Sequence, residues 1–441
     1  MKRVAFCTFG CRLNQYDTEA MRTLLVDEGD WRAVPWSDEA DVYVVNTCSV
    51  TSRADARART MIRRIHAERP EARIVATGCY AQRAPEDFEK LPVSLVLGAA
   101  DRERAVEEFA GLSTLVPGRI RLAVSPIEEA RAFHEVPITE MMDRSRAFVK
   151  VQEGCNESCT FCIVPATRGR SRSRRPEKVL AQVRELIQGG YSEIVITGVH
   201  VGDYGLDLEE ERRLLPELVE SILAMDGLHR FRLSSIEPAS IGSDLISLMA
   251  GEEKFARHFH IPMQSASDSV LERMKRRYSA DEFCDLLQRI GEEVPDCGLG
   301  TDVICGFPGE TDEDFQATFD AIERLPITYL HAFSYSERPG SEAIGMEGAV
   351  PGDVRKRRTG ALRKLGADKN LAFRRRLVGR EARVFVEAAR RDGEPWLTGL
   401  TDNYLRVDLG PGEVTSPLVD VRLTGTTGDT LTGELLQEVT A

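Results

Sequence analysis

Glu153-Gly154-Cys155-Asn156-Glu157-Ser158-Cys159-Thr160-Phe161-Cys162 is the stretch that decides how this chain is read. An apolar run at 147–152 precedes it and reads as a β-strand, and a helical stretch near 176–188 follows. The loop therefore sits at the end of a strand, where a βα barrel gathers its chemistry. Cys155, Cys159 and Cys162 are separated by three and two residues. That spacing lets three thiolates reach one [4Fe–4S] cluster and leaves one iron without a protein ligand. The rival reading is a closed zinc site, which wants a fourth protein ligand; none is close in sequence, although one could come from afar. Phe161 would shield the cluster or simply pack in the core.

Outward from the loop, 147–152, 193–197, 231–234, 258–261, 298–303 and 329–333 read as strands. Helical stretches near 176–188, 212–225, 241–250, 268–276, 281–291, 312–324 and 353–376 follow or separate them. Such a βα series predicts a partial or full βα barrel. Upstream, strands at 3–9, 41–47, 73–78 and 93–98 alternate with helices at 16–28, 53–68 and 101–109. This is the pattern of a doubly wound parallel sheet, an α/β domain. Residues 113–142, with Pro117, Pro126 and Pro137, read as a connection. After Gly379 come short runs at 382–387, 396–402, 404–408, 418–423 and 430–436, punctuated by glycine, which suit a small OB-like β-barrel. The expected division is 1–112, a connection 113–142, a core 143–377 and a tail 378–441.

Cys11, Cys48 and Cys79 are far apart in sequence, yet each lies just beyond a different predicted parallel strand. Strand ends of an open α/β sheet converge on one crevice, so these thiols can form a second three-cysteine set. Taken alone, three unrelated buried thiols would be the simpler reading; the loop cysteines reverse that preference. Cys7, Cys284 and Cys297 read as core, and Cys305 stays ambiguous.

At 441 residues the chain is about three times the ~150-residue domain prior. No apolar run approaches the ~18 residues of a membrane span, and the Met1-Lys2-Arg3 start is broken by Gly10 and Arg12 before a signal-peptide core is complete. A reducing cytoplasm with metal-bound thiolates fits ten sparse, unevenly placed cysteines. The net charge of −13 argues against indiscriminate nucleic-acid binding, so any RNA contact must use a local basic patch. Arg168, Arg170, Arg172, Arg174 and Arg175 are the candidate, with a solvated arginine run as the plainer alternative.

The CxxxCxxC loop resembles that of the radical S-adenosylmethionine (SAM) class. The resemblance implies that the open iron chelates SAM and that an electron from the cluster releases a 5′-deoxyadenosyl radical. The stretch Thr197-Gly198-Val199-His200 resembles the glycine-containing edge that holds the methionine end of SAM, and Glu237, Gln264 and Ser265 follow later strands at the same mouth. With Cys11, Cys48 and Cys79 added, nearly the whole chain is similar to the methylthiotransferase family: an N-terminal three-cysteine domain, a radical-SAM barrel and a C-terminal TRAM domain.

Gly10-Cys11-Arg12-Leu13-Asn14-Gln15-Tyr16 resembles the branch acting on N6-threonylcarbamoyladenosine 37 of tRNA. The branches acting on isopentenyladenosine 37 and on a ribosomal-protein aspartate usually carry other residues after this cysteine. What the family implies is two [4Fe–4S] clusters, SAM, a tRNA anticodon loop, a reducing electron donor and a sulfur source left open. One SAM would methylate the acceptor sulfur on the Cys11, Cys48 and Cys79 cluster. The radical from a second SAM would take hydrogen from C2 of the base, where the methylthio group then joins. The tail and the arginine run are the expected RNA contacts, with Trp396 or Tyr404 either stacking on bases or packing the small barrel. Ala266, where the family often has glycine, and Cys305 depart from its pattern and concern only the shape of the SAM pocket.

Overall fold

The computed structural model describes residues 1–114, 118–136, 138, 140–141, 146–208, 212–391 and 394–436; Pro117 and Pro137 of the expected connection lie outside them. The first unit is a six-stranded parallel sheet in the order β2-β1-β3-β4-β5-β6. Its strands are β1 (Lys2–Thr8), β2 (Trp31–Ala33), β3 (Val42–Thr47), β4 (Arg73–Gly78), β5 (Leu95–Leu97) and β6 (Arg121–Ala123). β3 is buried at every position, as a central strand covered on both faces must be. Alternation sends Val4, Val42, Val44 and Val75 to one core with Met21, Leu25 and Phe109, and Ala5, Tyr43, Val45 and Ala76 to the other with Ala58, Ile62 and Phe88. The chain reverses direction across the sheet between β1 and β3, which opens a crevice at the carboxyl ends there.

Two edge strands were not foreseen. β2 and β6 are three residues each, too short to show a period. β6 comes from the stretch read as a connection and pairs with β5.

The second unit contains β7 (Arg146–Glu153), β8 (Arg172–Ser173), β9 (Glu193–Gly198), β10 (Arg230–Leu233), β11 (His258–His260), β12 (Gly298–Cys305) and β13 (Tyr329–Ser334). β7, β9 and β10 are parallel, β11, β12 and β13 are parallel, and bridges from Phe231 to Phe255 and from Ser235 to His260 join the two groups. β7 and β13 are not paired with each other, so the barrel is partial. The helix Arg12–Asp27 of the first unit packs on β7, and its Tyr16 and Ala20 enter the barrel core.

The third unit is a closed barrel, β14 (Glu381–Arg391), β15 (Glu394–Thr401), β16 (Arg406–Pro411), β17 (Leu418–Thr427) and β18 (Thr430–Leu435), in the order β14-β15-β16-β18-β17. The parallel pairing of β16 with β18 is that of an OB-like barrel. Its β15–β16 turn docks where β10 to β12 begin, at the opposite end from the cysteine loop. Arg230 donates to Leu400 O at 2.9 Å, Arg232 to Asp402 O at 2.8 Å and Arg257 to Asp402 Oδ2 at 2.6 Å.

Candidate iron–sulfur and substrate site

The loop after β7 is held from several sides. Gly154 has φ +72°, and a Cβ there would collide with the carbonyl of Arg170, so only glycine lets the chain turn into the loop. Cys155 N donates to Gly169 O at 3.0 Å, Thr160 N to Met274 O at 3.2 Å and Cys162 N to Cys159 O at 3.0 Å. Gln152 is the brace behind it: its amide donates to Gly154 O at 2.7 Å, while its carbonyl accepts from His200 N at 2.8 Å. Gly198, predicted at the SAM edge, leaves only 3.1 Å between its Cβ position and that same carbonyl oxygen.

Each loop sulfur meets an N–H donor at 3.4 Å: Glu157 N for Cys155, Val164 N for Cys162 and Arg276 Nη1 for Cys159. Donors of this kind surround cluster thiolates. Burial pushes the Cys155 thiol up to about 12 and Cys162 to about 11, so without a bound cation these groups stay protonated. An all-sulfur set that needs a positive charge to ionise, with donors in place, fits an iron–sulfur cluster. Arg276 also pairs with Glu237, which ties that predicted mouth residue to Cys159.

Cys11 follows β1, Cys48 follows β3 and Cys79 follows β4, three neighbouring strands at one end of the sheet. Gly10, at φ +105°, brings its Cβ position within 3.1 Å of Cys48 Sγ. The thiols are close enough to interact: Cys48 is pushed up to about 12, first by burial and then by the charges that Cys79 and Cys11 would carry. Asn14 organises the three loops. Its amide donates to Phe9 O at 2.7 Å and Thr47 O at 3.0 Å, and its carbonyl lies 3.9 Å from Cys79 Sγ. That carbonyl also accepts from Arg168 Nη2 at 2.5 Å, a residue from the barrel. Arg168 acts electrostatically on Cys11, Cys48 and Cys79. Three sulfurs with a guanidinium beside them fit a second cluster.

A buried ionic network joins the two sets. Arg168 pairs with Glu153 and, at 3.0 Å, with Asp17; Lys150 pairs with Asp17 at 2.7 Å and with Glu153; Arg102 pairs with Asp17 at 2.5 Å. Although burial pushes the Asp17 carboxyl up, the Arg102, Lys150 and Arg168 charges hold it below its ordinary value.

A cavity of about 230 Å³ opens between the two sets, lined by Val50 and Thr51 just after Cys48 and by Phe161, Cys162, Gln264, Asp302, Ile304 and Phe333. Gln264 is held at φ +63°, an uncommon conformation for this residue type, and exchanges backbone hydrogen bonds with Asp302 O at 2.8 Å and Ile304 N at 3.0 Å. Ser265 is buried, its hydroxyl 3.2 Å from Thr318 Oγ1; it braces the turn below Gln264. Cys284, Cys297 and Cys305 are buried.

The expected arginine patch is corrected by the structure. Arg168, Arg172 and Arg174 are buried, and only Arg170 and Arg175 reach the surface. The run passes through β8, antiparallel to β7, which turns guanidiniums inward: Arg174 pairs with Glu135 at 2.6 Å, and Arg172 caps Arg168 O at 3.0 Å. Tyr404 is also no surface stacking group. It stacks on His258 with ring centroids 4.3 Å apart, and its hydroxyl accepts from Arg12 Nη2 at 2.7 Å. Trp396 is half-buried and donates to Asp408 Oδ1 at 2.7 Å. The basic surface missed from sequence lies on the helix Gly352–Leu377, where Lys356, Arg357, Lys364 and Arg375 are exposed. Its density of Lys and Arg was the available signal.

Residues 149–322 match the family model described as the radical SAM superfamily, and residues 3–98 match the one described as uncharacterized protein family UPF0004. The threonylcarbamoyladenosine tRNA methylthiotransferase MtaB of Bacillus subtilis is 38% identical over 96% of this chain and 94% of its own length. The protein of the same name from Aquifex aeolicus is 37% identical over 92% of this chain and 96% of its own length. The tRNA-2-methylthio-N(6)-dimethylallyladenosine synthase of Moorella thermoacetica is 33% identical over 99% of this chain and 98% of its own length. Among solved structures, the radical SAM methyltransferase TsrM of Kitasatospora setae superposes with TM-score 0.57 at 16% identity, covering 78% of this chain and 77% of that one, a likeness of fold. A relative of this identity and coverage, with the radical-SAM loop intact, makes the chain a member of the methylthiotransferase family of radical-SAM enzymes.

Proposed function

We propose that the chain inserts a methylthio group at C2 of N6-threonylcarbamoyladenosine 37 in tRNA, using SAM and two [4Fe–4S] clusters. The observation that carries this reading is the single cavity bordered by Cys162 on one side and by the segment after Cys48 on the other. In this reading Cys155, Cys159 and Cys162 hold the cluster that binds SAM, and Cys11, Cys48 and Cys79 hold the one that carries sulfur. When bound, these groups supply a carbon-centred radical and a methylated sulfur, because an aromatic C–H bond offers a side chain neither an acidic proton nor a leaving group.

The residues of the chain then bind and orient. Gly198, Glu237 and Gln264 border the SAM side, with Ser265 behind them. Arg276 steadies Cys159, and Asn14 with Arg168 steadies the second set. Adenosine 37 lies in a loop from which a base can be splayed out at modest cost. The exposed cations of Gly352–Leu377 and the TRAM-like tail 378–441, whose described strands form the barrel, are the proposed tRNA surface. No described helix is long and apolar enough to cross a membrane, and we place the protein in the cytoplasm with a reducing electron donor. The test is anaerobic incubation of the reconstituted protein with SAM, a reductant, sulfide and tRNA bearing threonylcarbamoyladenosine, followed by mass spectrometry of the nucleosides. A 2-methylthio product is expected; unchanged threonylcarbamoyladenosine would refute the reading.

A further inference from the structure

The cluster and SAM residues leave unused a row of polar side chains inside the barrel. His258 and His260 on β11, Asp302 on β12, and Tyr329 and His331 on β13 occupy adjacent strands. Tyr329 Oη lies 2.8 Å from His258 Nε2 and 3.0 Å from His260 Nδ1. His260 Nε2 is 3.1 Å from Asp302 Oδ2, and His331 Nδ1 is 3.1 Å from Asp302 Oδ1. One set of proton positions satisfies every pair: His258 donates to Tyr329, Tyr329 to His260, and His260 and His331 each to Asp302. Burial, with Arg232 and Arg12 nearby, keeps His258 neutral, which leaves its Nε2–H for Tyr329 and its buried, partnerless Nδ1 without a proton. The hydrogen bonds from His260 and His331 hold the Asp302 carboxyl low against its burial.

This row ends at the cavity. Asp302 lines it beside Ile304 and Phe333, and the ring of His331 lies 6.4 Å from that of Phe333. The side chain of His331 is 56% exposed, while that of His260 is 9%. With Nδ1 committed to Asp302, the Nε2 of His331 has no partner among the described residues. It is therefore open to hydrogen-bond a polar group that enters the cavity. At the far end, Tyr404 stacks on His258 and Arg12 binds Tyr404, so all three units fix the row in place.

We propose that His331, oriented by Asp302 and through it by His260 and Tyr329, reads the polar, carboxylate-bearing N6 substituent of the substrate adenosine and so disfavours an apolar N6 prenyl group. The inference rests on the reading above, that the cavity takes the base. Its physical ground is that a polar pocket group left unpaired by an apolar analogue costs binding, whereas an apolar pocket discriminates poorly against added polar groups. Asp302 and His331 are specificity and positioning residues, with no part in the radical step.

The experiment compares wild type, His331→Phe and His331→Gln, each reconstituted anaerobically, on two tRNAs that carry either threonylcarbamoyladenosine or isopentenyladenosine at position 37. It reads kcat and KM for methylthiolation, with iron content and tRNA-independent 5′-deoxyadenosine formation as controls. Wild type is expected to prefer the threonylcarbamoyl tRNA. His331→Phe should lose about 100-fold of that preference, mostly through KM, and His331→Gln should restore part of it. An unchanged preference in His331→Phe would overturn the inference alone. Equal losses on both tRNAs, or loss of iron, would overturn it too, since they mark a merely structural role. If wild type acts on neither tRNA, the substrate reading itself falls, and the inference with it.

Discussion

Asn14 and Arg168 meet at 2.5 Å between carbonyl oxygen and guanidinium, one from the first helix of the sheet domain and the other from just beyond the barrel's cysteine loop. The same Asn14 side chain bonds the backbone leading into Cys11 and Cys48 and lies 3.9 Å from Cys79. The contact therefore couples the geometry of one cysteine set to the chain segment that supports the other.

Asn14→Ala removes that hub without removing a ligand. The reconstituted variant is expected to hold fewer irons than the about eight of two [4Fe–4S] clusters, tending to about four. Reductive SAM cleavage should continue. Iron and sulfide analysis beside 5′-deoxyadenosine formation checks this; a full iron complement would show that Asn14 does not support the second set.

Gly154→Ala is the converse. A Cβ at φ +72° runs into the Arg170 carbonyl, so the Cys155 loop cannot close as it does in the wild type. Loss of SAM cleavage is expected, with the irons of the other set retained. The same two assays read it.

Much of this site is legible in the sequence alone. CxxxCxxC after a strand needs only local spacing, and Cys11, Cys48 and Cys79 could be grouped because each followed a recognisable strand. The arginine run failed for a tertiary reason: β8 is two residues long, leaves no periodic trace, and turns Arg172 inward while Arg168 and Arg174 pair with acids remote in sequence. Tyr404 failed similarly, because nothing local says that a turn of the small barrel plugs the larger one. The row from His258 to His331 spans five strand-borne positions over some distance in sequence and becomes visible only when β11, β12 and β13 are set side by side.

At the base of the barrel, Glu193 pairs with Arg232 at 3.0 Å, and both side chains are fully buried. Although burial pushes the Glu193 carboxyl up, Arg232, Arg230 and Arg146 hold it below its ordinary value of 4.5. A carboxyl with a depressed folded-state pKa stabilises the fold above the unfolded value, and that stability is lost as pH falls through the folded one. The urea midpoint should therefore fall below about pH 4.5 in the wild type, and Glu193→Gln should lack that part of the fall. At neutral pH the variant should lose about 3–5 kcal/mol, because Arg232 stays buried without its partner charge. Urea titrations from pH 7 to the onset of acid unfolding measure both effects.

Charge reversal at Lys356, Arg357 and Lys364, exposed on Gly352–Leu377, should weaken tRNA binding at least about tenfold at moderate salt and flatten its salt dependence. Neither iron content nor tRNA-free SAM cleavage should change. Filter binding across a salt series decides it, and an unaltered salt slope would place the RNA elsewhere.

The central claim is that the chain has two cysteine sets with separate tasks across one cavity. Its most direct test is a single anaerobic reaction of the Cys11→Ala, Cys48→Ala, Cys79→Ala triple variant with SAM, reductant and tRNA, analysed for 5′-deoxyadenosine and for nucleosides together. The account predicts that 5′-deoxyadenosine still forms and that no methylthio-nucleoside appears. A methylthio-nucleoside made by that variant would contradict it.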